Sequence, residues 1–247
     1  MSRKIVVAGN WKMNMLPSQT GEFISGFKGK FKDDRQVVFC VPYVSLQAAL
    51  DAAKGTNFAI GAQNLHEKEN GAYTGEISAQ MLSDMGVKYV IVGHSERRQY
   101  FSETNETINA KVHSALAAGL TPILCVGESL DERNQNITLE VVRLQTKVAL
   151  QNIEPCAAKG IVIAYEPVWA IGTGLTASSQ QAEEVCEAIR HLIKELYDSD
   201  VSESVTIQYG GSVNGKNAGE LFAMPNIDGG LVGGASLKAE FEDVVNG

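Results

Sequence analysis

The sequence predicts an α/β fold, a single (β/α)8 barrel of parallel strands in which residues 1–247 form one domain. Short β-branched runs alternate with helical patterns, and most of the runs are apolar throughout, as in parallel strands buried on both faces. Eight repeats in this length give about 31 residues per strand–helix unit, which suits a closed barrel. No Gly/Ser/Pro linker divides the chain. An open, doubly wound sheet is the alternative fold.

The strands are predicted from β-branched runs that end at Gly, Asn or Pro. They cover residues 5–8, 36–41, 58–62, 89–92, 121–126, 161–165, 205–209 and 229–232.

Apolar stripes at helical spacing predict core-facing helices between the strands. Ser178 and Gln181 form a predicted capping box before one of them. The stripes are Ile108, Val112 and Ala115; Ile137, Val141, Leu144 and Val148; and Ala182, Val185, Cys186, Ile189, Ile193 and Leu196.

Charge and composition exclude several classes of partner. The chain has 21 Lys and Arg against 29 Asp and Glu, a formal net charge of −8. Without a long basic run, no nucleic-acid groove is expected, although a local site can still attract a small anion. No apolar run approaches the ~20 residues of a membrane span, and the N-terminus lacks a signal-peptide pattern. We therefore expect a cytoplasmic location and no membrane partner. The cysteines lack zinc spacing, and we expect reduced thiols and no metal at Cys40, Cys125, Cys156 and Cys186.

Polar side chains follow several predicted strands, at the end where barrel side chains converge on one mouth. Asn10 and Lys12 follow the first strand, His94 the fourth and Glu166 the sixth. This set suits proton abstraction beside a carbonyl, with Glu166 as base and the imidazole and ammonium stabilising charge on oxygen. Taken singly, each residue has a structural explanation, such as a solvated acid, a capped turn or a surface lysine. The prediction therefore depends on their convergence.

Glycine pairs follow the last two predicted strands. They are Gly210-Gly211, before Ser212, and Gly233-Gly234. Barrel enzymes often bind phosphate with main-chain N–H groups of these two loops, so a phosphate site is predicted here. Simple turn geometry is the alternative.

Two further segments are predicted to be functional loops. The run at 172–177 matches the dinucleotide fingerprint G-x-G-x-x-A, but it begins six residues after its strand, which favours a mobile lid with glycines near a hinge. Residues 65–75 form a long, polar, turn-rich segment. Such loops are usually functional or bound to a partner, and a solvated surface loop is the alternative.

Motifs from the first strand to the last resemble those of the triosephosphate isomerase family. They are Gly-Asn-Trp-Lys-Met-Asn at 9–14, Val-Gly-His-Ser-Glu-Arg-Arg at 92–98, Ala-Tyr-Glu-Pro-Val-Trp-Ala-Ile-Gly-Thr-Gly at 164–174, Tyr-Gly-Gly-Ser-Val at 209–213 and Leu-Val-Gly-Gly-Ala-Ser at 231–236.

The resemblance implies the glycolytic and gluconeogenic interconversion of dihydroxyacetone phosphate and D-glyceraldehyde 3-phosphate through an enediolate, without cofactor or metal. It gives Glu166 the proton shuttle and His94 the role of a neutral electrophile. Lys12 supplies positive charge, Asn10 hydrogen-bonds the substrate, and Glu96 supports Lys12 and His94. A glutamate base, a neutral histidine and a water-excluding loop are the known catalytic devices of this same family. A helical turn opening after His94 would disfavour its charged form.

The resemblance also implies a phosphate site, a lid and a homodimer. Leu175 departs from the family's usual lysine, so altered lid opening is expected. Thr74 would lie near Asn10 and Lys12 of the second subunit, and Trp11 and Met15 near the interface, with apolar packing as the alternative. The phosphate site is Asn10, Lys12, Gly172, Ser212, Gly233 and Gly234; the lid is Pro167, Val168, Trp169, Ala170, Ile171, Gly172, Thr173, Gly174, Leu175 and Thr176; the dimer contacts are Thr74, Gly75, Glu76 and Met13.

Two other functions remain open at this point. An NAD-linked oxidoreductase would use the 172–177 run and an acid at a strand end about 20 residues further on, yet Glu195 lies within a helical stripe. A catalytically silent dimer would lack a catalytic group, yet Asn10, Lys12, His94 and Glu166 are all present.

Overall fold

A computed structural model describes residues 3–29, 31–32, 34–171 and 176–247. Within these residues, eight parallel strands close into a barrel in sequence order, with the first strand paired to the last. The predicted closed barrel is confirmed, and the open sheet is wrong. The strands are β1 Ile5–Asn10, β2 Arg35–Val41, β3 Ala59–Ala62, β4 Tyr89–Val92, β5 Thr121–Val126, β6 Val162–Tyr165, β7 Thr206–Tyr209 and β8 Gly229–Val232.

Helices alternate with the strands and cover the outside of the barrel. They are α1 Pro17–Gly26, α2 Leu46–Ala53, α3 Ala79–Met85, α4 Ser95–Tyr100, α5 Asn105–Ala117, α6 Leu130–Asn134, α7 Thr138–Ala149, α8 Pro155–Ala158, α9 Ser179–Leu196, α10 Ser199–Ser202, α11 Ala218–Phe222 and α12 Phe241–Asn246, with short 3-10 turns at Tyr43–Ser45, Val168–Ala170 and Gly234–Leu237. None of the described helices has both the length and the apolar content needed to cross a membrane.

The helix stripes are confirmed for α5 and α9, whose predicted residues face the core. Ser178 and Gln181 form the expected reciprocal cap before α9, at 3.0 and 3.1 Å. The predicted face of α7 is wrong, since Leu144 is 58% exposed and Val142, Thr146 and Ala149 are buried instead. Apolar periodicity missed this face because a polar residue, Thr146, occupies its middle.

Two sets of buried side chains result from strand alternation. One set fills the barrel interior, and the other packs between strands and helices. Trp11 belongs to the outer set, with its ring 5.4 Å from that of Phe23 and 6.1 Å from that of Phe39. Of the two predictions for Trp11, the structure therefore agrees with apolar packing. The interior set is Val6, Ala8, Val38, Cys40, Ile91, Ile123, Cys125, Val162, Ala164 and Leu231.

Candidate active site

Because side chains alternate between the two faces of a strand, Asn10 and Glu166 lie at the mouth of the barrel. Val6 and Ala8 face the interior of the barrel, and Asn10 continues the same alternation at the end of β1. Glu166 likewise follows Ala164 by two residues, beyond the end of β6. Both side chains are buried although they are polar. Buried polar groups at the C-terminal end of barrel strands are the usual position of catalytic groups.

Lys12 has an unusual backbone conformation, with φ at +52°. Non-glycine residues rarely adopt this region, and such strain is concentrated at functional sites. The Asn10 side chain stabilises the turn, because its Oδ1 accepts the Lys12 N–H at 3.0 Å. The Lys12 Nζ donates to Glu96 Oε1 at 2.6 Å. The ammonium is therefore held at the mouth by a partly exposed carboxylate.

His94 lies immediately before α4 and caps it. Its Nδ1 accepts the Glu96 N–H at 3.2 Å, and its Nε2 lies 2.9 Å from Glu166 Oε1. A ring that accepts at Nδ1 and donates from Nε2 is neutral. Burial also lowers the pKa of His94, but the attraction and hydrogen bond of Glu166 outweigh it and raise this pKa while the two side chains touch.

Glu166 is held by two donors in this arrangement. Besides the His94 contact, its Oε2 accepts the Ser95 N–H at 3.0 Å. Burial raises the pKa of Glu166, but the field and hydrogen bond of His94, together with the Ser95 N–H, lower it below its ordinary value. The carboxyl group is therefore ionised and able to act as a base. The turn at 95–98 was predicted to direct its N–H groups at His94. The Glu96 N–H does so, whereas the Ser95 N–H donates to Glu166, a contact that the sequence did not predict.

Two glycines shape the space around Glu166. A Cβ on Gly127 would lie 1.7 Å from the Glu166 carbonyl oxygen, and a Cβ on Gly210 would lie 2.9 Å from Glu166 Cγ. Gly210 was predicted to offer its N–H to an anion, and that is wrong because this N–H donates to the Tyr165 carbonyl at 2.7 Å. Both glycines instead leave room for the base.

A cavity of about 510 Å³ lies beside these groups. Among the described residues, the N–H groups of Ser212, Gly233 and Gly234 have no protein acceptor. A Cβ on Gly234 would meet nothing within 4 Å, and one on Gly233 only Lys12 Cε at 3.9 Å. Protein packing therefore does not exclude a side chain at either position. Free N–H groups beside an ammonium form a cradle for an anion. The cavity is lined by Asn10, Lys12, Asn14, His94, Glu166, Ile171, Gly210, Gly211, Ser212, Val213, Leu231, Gly233, Gly234 and Leu237.

The predicted lid is described only in part, since Gly172, Thr173, Gly174 and Leu175 lie outside the described residues. The segment before them starts with a 3-10 turn at Val168–Ala170. The Ala170 carbonyl accepts the Ser212 hydroxyl at 3.2 Å, which connects this turn to the predicted phosphate loop.

Sequence reasoning missed Glu128, which anchors the same turn. This carboxylate is fully buried, and its Oε1 accepts from Trp169 Nε1 at 2.8 Å and from Tyr165 OH at 3.2 Å. Arg133 supplies its ion pair at 3.1 Å, and the Glu128 carbonyl accepts the Val168 N–H. The partners are up to 41 residues away, so no local pattern could have shown this contact.

Residues 65–78, named here the docking loop, close on themselves. The His66 N–H donates to the Ile77 carbonyl at 2.8 Å, and the His66 and Tyr73 rings lie 4.3 Å apart. At the tip, Thr74, Gly75 and Glu76 are exposed. Elsewhere, Met13 is 96% exposed. It lines a second cavity of about 280 Å³, next to the first and lined also by Asn10, Lys12, Pro42, Tyr43, Gln63, Asn64, His94, Glu96, Arg97 and Phe101.

The acidic residue that the oxidoreductase alternative requires does not lie at a strand end. Glu195 lies on the exposed surface of α9 and pairs with Arg143 at 2.6 Å. Among the described residues, no group of His, Cys, Asp or Glu side chains is arranged to hold a metal ion. All four cysteines are free, and burial raises the pKa of three of the thiols, which disfavours the reactive thiolate. These three are Cys40, Cys125 and Cys186, and Cys156 is exposed.

The closed barrel and the acid–base groups at its mouth define a (β/α)8-barrel enzyme. The sequence model of the family described as "Triosephosphate isomerase" matches residues 5–247. The chain is 59% identical over 246 residues to the triosephosphate isomerase of Acetivibrio thermocellus, covering 99% of this chain and 98% of that protein. It is 52% identical over 249 residues to that of Lactobacillus helveticus, covering 100% and 99%, and 52% identical over 246 residues to that of Alkaliphilus metalliredigens, covering 99% of each. The chain belongs to the triosephosphate isomerase family and is an isomerase.

Proposed function

We propose that this chain interconverts dihydroxyacetone phosphate and D-glyceraldehyde 3-phosphate with Glu166 as the acid–base group. The convergence of Glu166, His94 and Lys12 beside an anion cradle carries the proposal. The Glu166 carboxylate takes a proton from the carbon next to the carbonyl, giving an enediolate. The former carbonyl oxygen then takes a proton from His94 Nε2, and the hydroxyl oxygen on the first carbon gives its proton back to this ring nitrogen. The protonated carboxyl returns its proton to the former carbonyl carbon.

Charge on the substrate oxygen is stabilised by groups already in place. The neutral His94 ring carries its proton on Nε2, where it can donate to this oxygen once Glu166 has turned to the substrate. Lys12 adds positive charge, Asn10 contributes its side chain, and Glu96 holds the ammonium. The described groups complete the chemistry with proton transfers alone, so we propose that no cofactor takes part.

The phosphate group would lie on the free N–H groups of Ser212, Gly233 and Gly234. Gly172 and the remaining lid residues of 167–176 would close over it and exclude water from the enediolate. Altered lid opening at Leu175 stays part of this proposal. For an enzyme of this glycolytic reaction we propose a cytoplasmic location.

The test is isomerisation of glyceraldehyde 3-phosphate by wild type and by Glu166→Gln, which removes the base and keeps its shape. We expect kcat to fall by about 10²- to 10⁴-fold, the usual contribution of a general base. Glu195→Gln is the matched control, because this exposed carboxylate lies far along α9 and pairs only with Arg143 among the described residues. Wild-type activity in Glu166→Gln would remove the assignment of the base.

We also propose a homodimer in which the docking loop of one subunit enters the 280 Å³ cavity of the other. Exposed Met13 and Phe101 at this cavity supply apolar surface of the kind that protein interfaces cover. Thr74, Gly75 and Glu76 at the tip of the docking loop would contact the partner.

Sedimentation of wild type and Thr74→Arg tests the dimer. We expect a dimer for wild type. The variant should shift toward monomer, because burying an arginine without a partner in the interface is costly. The monomer should have a reduced kcat. Thr56→Arg, at another exposed threonine, should remain dimeric. A monomeric wild type at micromolar concentration would contradict the proposal.

A further inference from the structure

Arg98 directs its guanidinium group at the main chain instead of at a carboxylate. Its Nε donates to the Gly93 carbonyl at 2.9 Å, and its Nη2 donates to the Cys125 carbonyl at 3.1 Å. Its Nη1 donates to Asn105 Oδ1 at 2.7 Å, at the start of α5. Within the described ranges, Arg98 has no ion pair. Burial lowers the pKa of Arg98, so the site disfavours the charge that it holds. The placement of Arg98 is therefore explained by the directions of its hydrogen-bond donors and not by its charge.

The donors of Arg98 hold the main chain on both sides of His94. The carbonyl before His94, on Gly93, accepts from the side chain, and the carbonyl of His94 accepts the Arg98 N–H at 3.1 Å. Gly93 has φ at +71°, and a Cβ there would lie 2.9 Å from Ile108 Cδ1. The chain therefore makes a turn before His94 that only glycine permits. The Arg98 side chain thus fixes the peptide group before His94, whereas the His94 carbonyl accepts two main-chain N–H groups, of Arg97 at 2.8 Å and of Arg98 at 3.1 Å.

The same guanidinium reaches toward the segment that carries Glu166. Strand β5 lies between β4, which precedes His94, and β6, which precedes Glu166. Arg98 holds the Cys125 carbonyl of β5, and the next carbonyl, on Val126, accepts the Glu166 N–H at 2.7 Å. Arg98 and β5 thus connect the main chain at His94 to that at Glu166.

We propose that Arg98 is a positioning residue that sets the distance and angle between the His94 imidazole and the Glu166 carboxylate. The proposal rests on the function assigned above to these two residues. Arg98 lies outside the cavity that would hold the substrate, so it acts through the main chain. Its loss therefore changes the reaction step more than it changes binding of the substrate.

The test compares kcat and KM of wild type, Arg98→Ala and Arg98→Lys. Misplacement of a catalytic group by about 1 Å costs about 100-fold in rate, so we expect kcat of Arg98→Ala to fall by about that factor. KM should change much less, because the anion cradle is intact. Arg98→Lys keeps one donor group, so its kcat should lie between those of wild type and Arg98→Ala. Millimolar ethylguanidine should restore part of kcat in Arg98→Ala by returning a guanidinium to the space.

Arg35→Ala is the matched control. Arg35 is buried, whereas Arg98 is partly buried, and it too donates to two main-chain oxygens, on Val245 and Gly247, which lie in and after α12 rather than at the site. We expect it to lose stability while the folded protein keeps wild-type kcat and gains nothing from ethylguanidine.

Three results would overturn the proposal: wild-type kcat in folded Arg98→Ala, an equal fall in kcat in Arg35→Ala, or a rise in KM that accounts for the whole loss. If Arg98→Ala does not fold, Arg98→Lys decides by the same split between kcat and KM. The Glu166→Gln variant separates the two proposals. Full activity in Glu166→Gln refutes the assigned base, whereas an inactive Glu166→Gln with a fully active Arg98→Ala refutes only the positioning role.

Discussion

Gly234→Ala should stabilise the fold and weaken substrate binding at once. Gly234 begins a 3-10 turn, and a Cβ there would meet nothing within 4 Å. An alanine that fits without strain stabilises a protein by about 0.4–1 kcal/mol, because it restricts the unfolded chain. In the folded state, however, the alanine methyl group occupies space beside the free N–H of residue 234, at the cavity where an anion would bind.

The loss of binding follows from the charge of a phosphate group. A hydrogen bond to a charged group contributes about 1.5–3 kcal/mol. Blocking the Gly234 N–H should therefore raise KM for the substrate by about 10- to 100-fold, at about 1.4 kcal/mol for each factor of ten. The inhibition constant of inorganic phosphate should rise by a similar factor.

Steady-state kinetics and urea unfolding of the same preparation measure both effects. Gly26→Ala is the matched control, because a Cβ on Gly26 also meets nothing within 4 Å and this residue ends the exposed part of α1. It should gain similar stability and keep the wild-type KM. Gly234→Ala with unchanged KM and unchanged phosphate inhibition would refute the anion cradle, whatever its stability.

Two further predictions concern the groups around the site. Gly210→Ala should lower kcat by about 100-fold and cost about 1–3 kcal/mol of stability, because its Cβ would displace Glu166. Steady-state kinetics and urea unfolding measure the two effects. A variant as active and as stable as wild type would contradict the prediction. Glu103→Gln should reduce the loss of stability in acid. Burial raises the pKa of Glu103, but Lys111 and Arg97 outweigh it and lower this pKa, so the ion pairs stabilise the fold above the ordinary value of 4.5 and are lost as pH falls through the folded value. Urea unfolding at fixed protein concentration should show the wild type losing more stability than the variant below about pH 4.5, and parallel curves would argue against it.

The strands and most helix faces were predictable because they depend on local apolar patterns. Strands β4, β5 and β8 begin and end at the predicted residues. The face of α7 was not predictable, because Thr146 is buried in spite of its hydroxyl group. A polar residue in the middle of a core face breaks the periodicity on which the prediction depends.

The site was predictable only where its residues follow strands. Glu166, Lys12 and His94 converge because a closed barrel brings strand ends together. Glu128 and Arg98 were missed because burial of a charged side chain depends on partners distant in sequence. Glycine was ambiguous for a related reason, since its sequence position does not show whether it frees an N–H or leaves room for a neighbour.

The contacts of Glu166 explain how a buried carboxylate can be stable at rest and basic in the reaction. Burial favours its protonated form, whereas His94 Nε2 and the Ser95 N–H favour its charged form and prevail. In the proposed mechanism the His94 proton is also the one that the substrate oxygen needs, so substrate binding takes this donor from Glu166. Burial then acts with less opposition, and the pKa of Glu166 rises as it meets the substrate carbon. A base that becomes stronger when its donor turns to the substrate couples oxyanion stabilisation to proton transfer within one pair of side chains.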